Sequence, residues 1–222
     1  MREIVLDTET TGIDHASGHR IVEVACVELV NHIPTGRTYQ QYLNPGRDVP
    51  AEAVAVHGLT AEFLADKPRF EEIADSLLQF IGDAPLVMHN AEFDIGFLNA
   101  ELARLGRPWL TTTIVDTLQM ARRKFPGAPA SLDALCRRFA IDNSTRTKHG
   151  ALLDTELLAE VYLELVGGRQ AGLELIESGA EAIMIAQIRR ETRPPRPHQP
   201  TEAELAAHAL LVAKLNAPVW LT

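Results

Sequence analysis

The sequence has little cysteine and no long uncharged apolar run. Its two cysteines, Cys26 and Cys136, lie far apart inside apolar patterns, which favours buried free thiols over a disulfide or a metal site. Hydrophobic residues make up 46% of the chain, yet no apolar run approaches the ~20 residues of a membrane span. The start of the chain, MREIVLDTE, has no signal-peptide pattern. We therefore expect a soluble, cytoplasmic, globular protein.

Positive charge is also scarce. The chain has 21 Lys and Arg against 30 Asp and Glu, a formal net charge of −9, which is the wrong sign for holding a nucleic acid by bulk electrostatics. If the substrate is DNA or RNA, bound divalent cations or a partner protein must supply the attraction.

The first third of the chain has the pattern of β-strands. At 222 residues the chain can bury one substantial core and carry an extension. The stretches EIVLD, RIVEVACVELV and TYQQYL are rich in apolar residues and are separated by short connections. This pattern predicts three strands in an antiparallel meander.

Helical periodicity begins after AVHGLT. We predict helices in TAEFLADK, in FEEIADSLLQFIGD, from about Phe93 to Leu105, in SLDALCRRFAI and in GALLDTELLAEVYLELVGG. A short buried strand is predicted at LVMHN and a further short strand at TIVDT. Strands first and alternating elements afterwards predict an α/β fold, with one mixed sheet flanked by helices.

The composition changes where the helical pattern stops at GGRQ. The stretch ETRPPRPHQP concentrates proline and charge, which is typical of an extended linker. TEAELAAHALLVAKLNAPVWLT then resumes a helix, with Thr201 and Glu204 in capping-box spacing. We predict a domain over residues 1–168, a linker over 169–200 and a C-terminal helical tail over 201–222. The apolar stripe of that tail consists of Leu205, Ala209, Val212 and Leu215.

Two carboxylates stand one residue apart in LDTETTG. In an extended strand the side-chain period is two, so Asp7 and Glu9 face the same side and repel each other. Such a pair needs a cation, a proton or water. Taken alone, this fragment is more often a strand that runs into a solvated turn.

Two further carboxylates follow later in the chain. Asp94, in HNAEFDIGF, comes after the buried strand LVMHN and can face the tip of the first strand or satisfy the N–H groups of its helix. His149 and Asp154 in KHGALLD are five residues apart, ~140° around an ideal helix, so His149 must precede the helix. Asp154 then points inward among leucines, where it needs a partner or a cation, or lies in a solvated first turn.

Together, these carboxylates and the histidine fit a hydrolase that clamps a phosphodiester between two divalent cations. Hard oxygen ligands favour Mg²⁺ or Mn²⁺ over Zn²⁺. His149 can take the proton of the attacking water near neutral pH.

LDTETTG, HNAEFDIGFL and HGALLD, in this order and spacing, resemble the three exonuclease motifs of the DEDDh family of 3′–5′ exonucleases, which have a ribonuclease H-like fold. The resemblance implies that Asp7, Glu9, Asp94 and Asp154 are catalytic and bind the metals. It also implies that His149 is the general base. On this hypothesis, cations lie between the carboxylates of Asp7 and Glu9.

The similarity extends through AVHGLT, SLDALCRRF and IDNSTRTKHGALLDTELLAEVYLELVGG to TEAELAAH. Over nearly the whole chain the sequence resembles the proofreading-subunit family of bacterial DNA polymerase III, which implies removal of mispaired 3′-terminal nucleotides. One alternative is a stand-alone DEDDh exoribonuclease or oligonucleotidase, against which the linker and C-terminal helix argue. Another is a non-catalytic structural subunit, which predicts lost metal ligands. The net charge of −9 fits a tethered enzyme that finds its DNA through effective concentration.

The same resemblance implies contacts with the substrate. Glu52 and His57, in EAVAVHG, contact the terminal nucleotide, and Thr10, Asn90 and Phe93 line its pocket. The alternatives are a solvated loop for Glu52 and His57 and ordinary core packing for Phe93.

Two partners are implied as well. QAGLEL resembles the sliding-clamp-binding peptide of the family, and the C-terminal tail is implied to bind the polymerase alpha subunit, unless it folds back on its own domain. The segment between QAGLEL and the last helix departs from the family pattern, because it is shorter and richer in proline. The predicted partner-binding residues are Gln170, Leu173, Leu175, Leu205, Val212 and Trp220.

Overall fold

Three antiparallel strands open the fold, in the order predicted. In the computed structural model, which describes residues 1–144, 146, 148–168 and 199–215, β1 (Arg2–Thr10), β2 (Ile21–Val30) and β3 (Ile33–Tyr42) form a meander. β4 (Leu86–Met88) pairs parallel with β1, and β5 (Ile114–Asp116) pairs parallel with β4. The strand order β3-β2-β1-β4-β5 confirms the predicted mixed sheet.

Helices flank this sheet in the part of the chain that is described. Those of the first unit are α1 (Ala51–His57), α2 (Ala61–Leu64), α3 (Phe70–Ile81), α4 (Ala91–Arg104), α5 (Thr117–Lys124), α6 (Leu132–Phe139) and α7 (Ala151–Leu165). None of the helices within the described ranges is long and apolar enough to cross a membrane. Cys26 and Cys136 are buried free thiols, as predicted.

Side-chain alternation along β1 divides the core into two layers. Ile4 and Leu6 share a layer with α3 and α4, whereas Val5 shares the other layer with α7. Because the period of a strand is two, Asp7 and Glu9 point to the side of Val5. The helix predicted to carry the last carboxylate therefore covers the face on which the first two lie.

β1 is longer than the predicted strand EIVLD. It runs to Thr10, and its pairing with β2 continues through Asp7 and Glu9, so both carboxylates lie inside the strand instead of at its end. α1 and α5 were not predicted. They are seven and eight residues long, α1 has no side-chain N-cap, and the N-cap of α5, Asp116, lies inside the predicted strand TIVDT. Neither helix therefore had a start signal that the sequence patterns could identify.

The second unit of the chain contains α8 (Glu202–Val212). The predicted capping box is present: Thr201 N–H donates to the Glu204 carboxylate at 2.7 Å, and the Thr201 hydroxyl accepts from Glu204 N–H at 3.3 Å. Along the predicted stripe, Val212 is buried, whereas Leu205 is 54% exposed. The predicted partner residues Gln170, Leu173, Leu175 and Trp220 lie outside the described residues.

Candidate active site

Asp7 and Glu9 lie on one face of β1, where burial and the surrounding carboxylates disfavour the ionisation of both. Loss of water contact, and then the charges of Asp94, Glu9 and Asp154, raise the pKa of Asp7 far above its usual range. Burial, followed by the charges of Asp154 and Glu23, raises the pKa of Glu9 to about 8. The site therefore has an excess of negative charge that a bound cation would relieve.

Asp94 is fixed against the strand that carries the first two carboxylates. It lies in the first turn of α4 and is buried. Its Oδ1 accepts hydrogen bonds from the backbone N–H of Thr8, at 3.0 Å, and from the Thr8 hydroxyl, at 2.7 Å. Burial raises the pKa of Asp94 to about 7, although the bonds from Thr8 lower it. The structure thus places Asp94 at β1, between the positions of Asp7 and Glu9.

Asp154 and His149 complete the cluster from α7 and from the segment before it. Asp154 is buried in the first part of α7, and His149 precedes Gly150, the N-cap of that helix. Ligand atoms of Glu9, His149 and Asp154 all lie within 4.8 Å of one another. This set of carboxylate and imidazole donors fits a divalent cation.

The backbone of His149 is tied to the opposite side of the site. Its N–H donates to the carbonyl of Val56 in α1 at 3.2 Å, while 49% of its side chain is exposed. The segment before α7 is therefore anchored at α1, and the imidazole remains accessible to solvent.

Arg146 is a site residue that the sequence interpretation missed. Its guanidinium forms two hydrogen bonds to Asp154, of 2.6 and 2.7 Å, and one to Asp133 of α6, of 2.7 Å. Its Nη2 also lies 2.7 Å from Nδ1 of His149. In the sequence it is only an arginine three residues before His149, and that position alone does not predict a role in the site.

Two contacts of the His149 ring exclude each other chemically. Nδ1 lies 2.7 Å from Nη2 of Arg146 and 3.2 Å from Oδ2 of Asp154. Arginine only donates and a carboxylate only accepts, so Nδ1 must be unprotonated for the first contact and protonated for the second. In the tautomer with the proton on Nδ1, Nε2 is unprotonated and can accept a proton. Arg146 therefore favours the tautomer in which Nδ1 is the acceptor.

Glu23 is a fifth carboxylate that sequence analysis also missed. It lies on β2 directly opposite Glu9 and is 2% exposed. It accepts hydrogen bonds from Gln40, at 2.7 Å, and from the backbone N–H of Ala151, at 3.2 Å. Since Gly150 has no side chain to cap α7, Glu23 provides that cap from the sheet. Its one sequence signal was an acidic residue inside the apolar strand RIVEVACVELV.

A cavity of about 430 Å³, here called the smaller cavity, lies on the Glu9 side of the cluster. Four of the predicted substrate residues line it: Thr10, Glu52, His57 and Phe93. His57 is buried, and burial lowers its pKa, which favours a neutral ring. The structure places Glu52 and His57 on α1 instead of a loop.

The wall of the smaller cavity includes a close contact between a ring and the backbone. His19 lies over Gly12, where an added Cβ would come within 2.4 Å of the imidazole. The ring is oriented by the Thr11 hydroxyl, 3.0 Å from Nδ1. Glycine at position 12 therefore allows His19 to form part of this wall.

A second cavity, of about 740 Å³, here called the larger cavity, is lined by Asp7, His149 and Asp154. Asn90 lines this cavity and not the smaller one, so the structure does not bring it together with the other four predicted substrate residues. Asn90 has a left-handed φ of 71° and begins α4. The change of direction at this residue separates its side chain from that of Phe93.

The sequence matches the exonuclease family, RNase_T, over residues 4–162. DNA polymerase III subunit epsilon of Rickettsia felis is 49% identical over 215 residues, which cover 94% of this chain and 94% of that protein. The subunit of the same name from Escherichia coli K12 is 46% identical over 219 residues, which cover 93% of this chain and 90% of that protein.

Solved structures with a similar fold include Exonuclease X in complex with 5′-overhanging duplex DNA, with a TM-score of 0.58 and 25% identity over 73% of this chain and 90% of that chain. The nuclease domain of 3′hExo, a DEDDh family member bound to rAMP, has a TM-score of 0.64 and 18% identity over 74% of this chain and 91% of that chain. These likenesses confirm the predicted fold. The chain belongs to the exonuclease family and, within it, to the DNA polymerase III subunit epsilon family.

Proposed function

We propose that this exonuclease removes mispaired 3′-terminal nucleotides as the proofreading subunit of DNA polymerase III. The observation that carries the proposal is the cluster of Asp7, Glu9, Asp94 and Asp154 with His149, beside a cavity of about 430 Å³. That volume falls in the ~300–1,000 Å³ range of small-ligand sites. The relatives that span nearly the whole chain are polymerase III subunits by name.

The cofactors in this proposal are two divalent cations, Mg²⁺ or Mn²⁺. The pKa values of Asp7 and Glu9, which are raised by burial and by neighbouring carboxylates, and the oxygen-rich donor set support them. Bound there, such cations would neutralise the phosphodiester and activate water. Asp7, Glu9, Asp94 and Asp154 would hold them.

The protein side chains supply orientation and proton transfer. Asp94 is held by two hydrogen bonds from Thr8, so its carboxylate is oriented before substrate binds. His149, next to Asp154 and accessible, takes the proton of the attacking water in the tautomer that leaves Nε2 unprotonated.

The smaller cavity is proposed to hold the terminal nucleoside. Phe93 offers an aromatic face for a base, while Thr10, Glu52 and His57 offer polar atoms around it. Stacking tolerates every base, and a proofreader needs that tolerance.

In this proposal the nuclease domain is residues 1–168, the linker is residues 169–200 and the tail is residues 201–222. We propose that the tail binds the polymerase alpha subunit and that residues 170–175 bind the sliding clamp. The exposed leucines of α8, Leu205, Leu210 and Leu211, support a partner for the tail. In such a tether, DNA reaches the site through effective concentration despite the net charge of −9.

A primer labelled at its 5′ end tests this function. With Mg²⁺, the full-length protein should shorten a primer with a mispaired 3′ end faster than a paired one, because unpairing costs a few kcal/mol less at a mismatch. Equal rates on paired and mispaired DNA, with a strong preference for an RNA end, would favour the stand-alone exoribonuclease instead.

A further inference from the structure

The proposed function uses only one of the two cavities at the catalytic cluster. Glu9 lines the smaller cavity, whereas Asp7, His149 and Asp154 line the larger one. A strand whose terminal nucleotide fills the smaller cavity therefore has its scissile phosphodiester at these side chains. The larger cavity adjoins these side chains and offers the preceding nucleotide a place to continue.

The larger cavity has the surface that a nucleotide needs. One of its walls is formed by residues 128–131, between α5 and α6, and includes the apolar side chains of Ala128, Pro129 and Ala130. Asn90 and Arg122 add polar groups from α4 and α5. With a volume of about 740 Å³, it exceeds the smaller cavity that is assigned to one nucleoside.

Most positive charge in the larger cavity is already neutralised. Arg146 forms ion pairs with Asp133 and Asp154. His89 donates from Nδ1 to the Thr117 hydroxyl, which itself donates to a carbonyl, and burial lowers the pKa of His89. Neither of these groups offers a free positive charge to a phosphate.

Arg122 is different from the other basic groups of this cavity. It lies in the last turn of α5 and is exposed. Within the described residues it forms no ion pair or side-chain hydrogen bond that would neutralise it. Its guanidinium is therefore available for an anion from solvent, and a phosphate group matches its fork of donors.

We propose that the larger cavity binds the nucleotide that precedes the scissile bond, and that Arg122 binds the 5′ phosphate of that nucleotide. The inference rests on the proposed function, since it requires the terminal nucleotide in the smaller cavity. It assigns the ligand class as a phosphodiester strand of at least two nucleotides.

The chain offers a matched control for Arg122. Arg123 is the next residue of the same helix, is exposed, and does not line the larger cavity. Arg122→Gln and Arg123→Gln change the net charge equally, so long-range electrostatics are the same in both. A difference between them reports the local contact.

Two dinucleotides isolate the phosphate in question. TpT and pTpT contain the same scissile bond, and only pTpT has a 5′ phosphate on the preceding nucleotide. With Mg²⁺, the wild type and Arg123→Gln should cleave pTpT on the order of 10-fold more efficiently than TpT, measured as kcat/KM. In Arg122→Gln this ratio should fall toward one.

The salt dependence on a longer single strand gives a second readout. One lost phosphate contact should reduce the slope of log(kcat/KM) against log[salt] by ~0.7 in Arg122→Gln relative to Arg123→Gln. Equal pTpT/TpT ratios and equal salt slopes in the two variants would overturn the inference.

The wild type on thymidine 5′-(p-nitrophenyl phosphate) separates this inference from the proposed function. This ester has a scissile phosphodiester but no preceding nucleotide. Hydrolysis of the ester without any preference for pTpT over TpT overturns the role of Arg122 and leaves the proposed function standing. No hydrolysis of the ester, of TpT or of pTpT overturns the proposed function, and the inference with it.

Discussion

Arg146 and Asp154 form a bidentate ion pair in which Nε lies 2.6 Å from Oδ1 and Nη2 lies 2.7 Å from Oδ2. Both side chains are buried, with 8% and 5% exposed. A carboxylate has about four lone-pair sites, so Asp154 keeps acceptor capacity for a cation. The pair therefore orients Asp154 and connects it, through Asp133, to α6.

Replacing Arg146 should destabilise the protein most when metal is removed. Arg146→Gln leaves Asp154 buried without its partner, which typically costs about 3–5 kcal/mol, and a bound cation should compensate part of this. We expect the loss in free energy of unfolding, measured in urea, to be larger with a chelator than with Mn²⁺. Arg146→Lys should lose an intermediate amount of unfolding free energy, because lysine keeps the positive charge but cannot form the bidentate hydrogen bonds of the guanidinium.

Arg137→Gln is the control for that measurement, since Arg137 is an exposed residue of α6. It should leave the free energy of unfolding nearly unchanged in both conditions. An equal loss for Arg146→Gln with chelator and with Mn²⁺ would show that Arg146 stabilises the fold independently of the cation site.

The stability of the metal-free protein should fall as the pH rises. The pKa of Asp94 is raised to about 7 and that of Glu9 to about 8, above the ~4 of these groups in an unfolded chain. Between the unfolded-state pKa and the raised folded-state pKa of each group, the folded state holds a proton that the unfolded state has released. The free energy of unfolding therefore decreases as the pH rises through this range. Urea unfolding in the presence of a chelator, at a series of pH values from 5 to 9, measures this decrease in the free energy of unfolding.

Glu9→Gln tests the source of this pH dependence, because the amide cannot ionise. The variant should show a weaker fall in stability between pH 5 and pH 8 than the wild type. Stability that is flat, or that rises, over this range in the wild-type protein would contradict the raised pKa values of Asp94 and Glu9.

His149→Ala should lose about 10²–10⁴-fold in rate, the usual contribution of a general base. If His149 takes the proton, the pH dependence of the rate should differ between the wild type and the variant. Mn²⁺ binding, measured by calorimetry, should change little because the carboxylates remain. The same pH profile in both proteins would mean that another group takes the proton.

Deleting residues 201–222 should leave the hydrolysis of short oligonucleotides nearly intact and abolish co-purification with the polymerase. A helix of this length is marginal in water by itself, and Leu205 and Leu210 of α8 are exposed, so a partner surface is expected to order it. If the truncated protein instead unfolds at a lower temperature and loses nuclease activity, the tail belongs to the nuclease domain.

Local periodicity predicted how the carboxylates are placed, whereas their common role was implied by the family resemblance. The two-residue period of β1 places Asp7 and Glu9 on one face, and the parallel pairing of β1 with β4 brings the start of α4, with Asp94, to that strand. The five-residue spacing placed His149 before the helix of Asp154, as the structure has it.

Arg146, Glu23 and the position of Asn90 could not be predicted, because they depend on side-chain reach and backbone direction in three dimensions. Arg146 gains its meaning only when Asp133 and Asp154 converge on it. Nothing in the spacing of Asn90 shows its left-handed backbone, which directs it into the larger cavity.

Hydrolysis of single-stranded DNA by Asp7→Ala, with Mg²⁺, is the most direct test of the cation site. Asp48→Ala is the control, since Asp48 is an exposed carboxylate away from both cavities. We expect Asp7→Ala to lose hydrolysis while its unfolding temperature in chelator equals or exceeds that of the wild type, because a repelling charge is removed. Near-normal hydrolysis by Asp7→Ala would contradict the assignment of this carboxylate to the cation site.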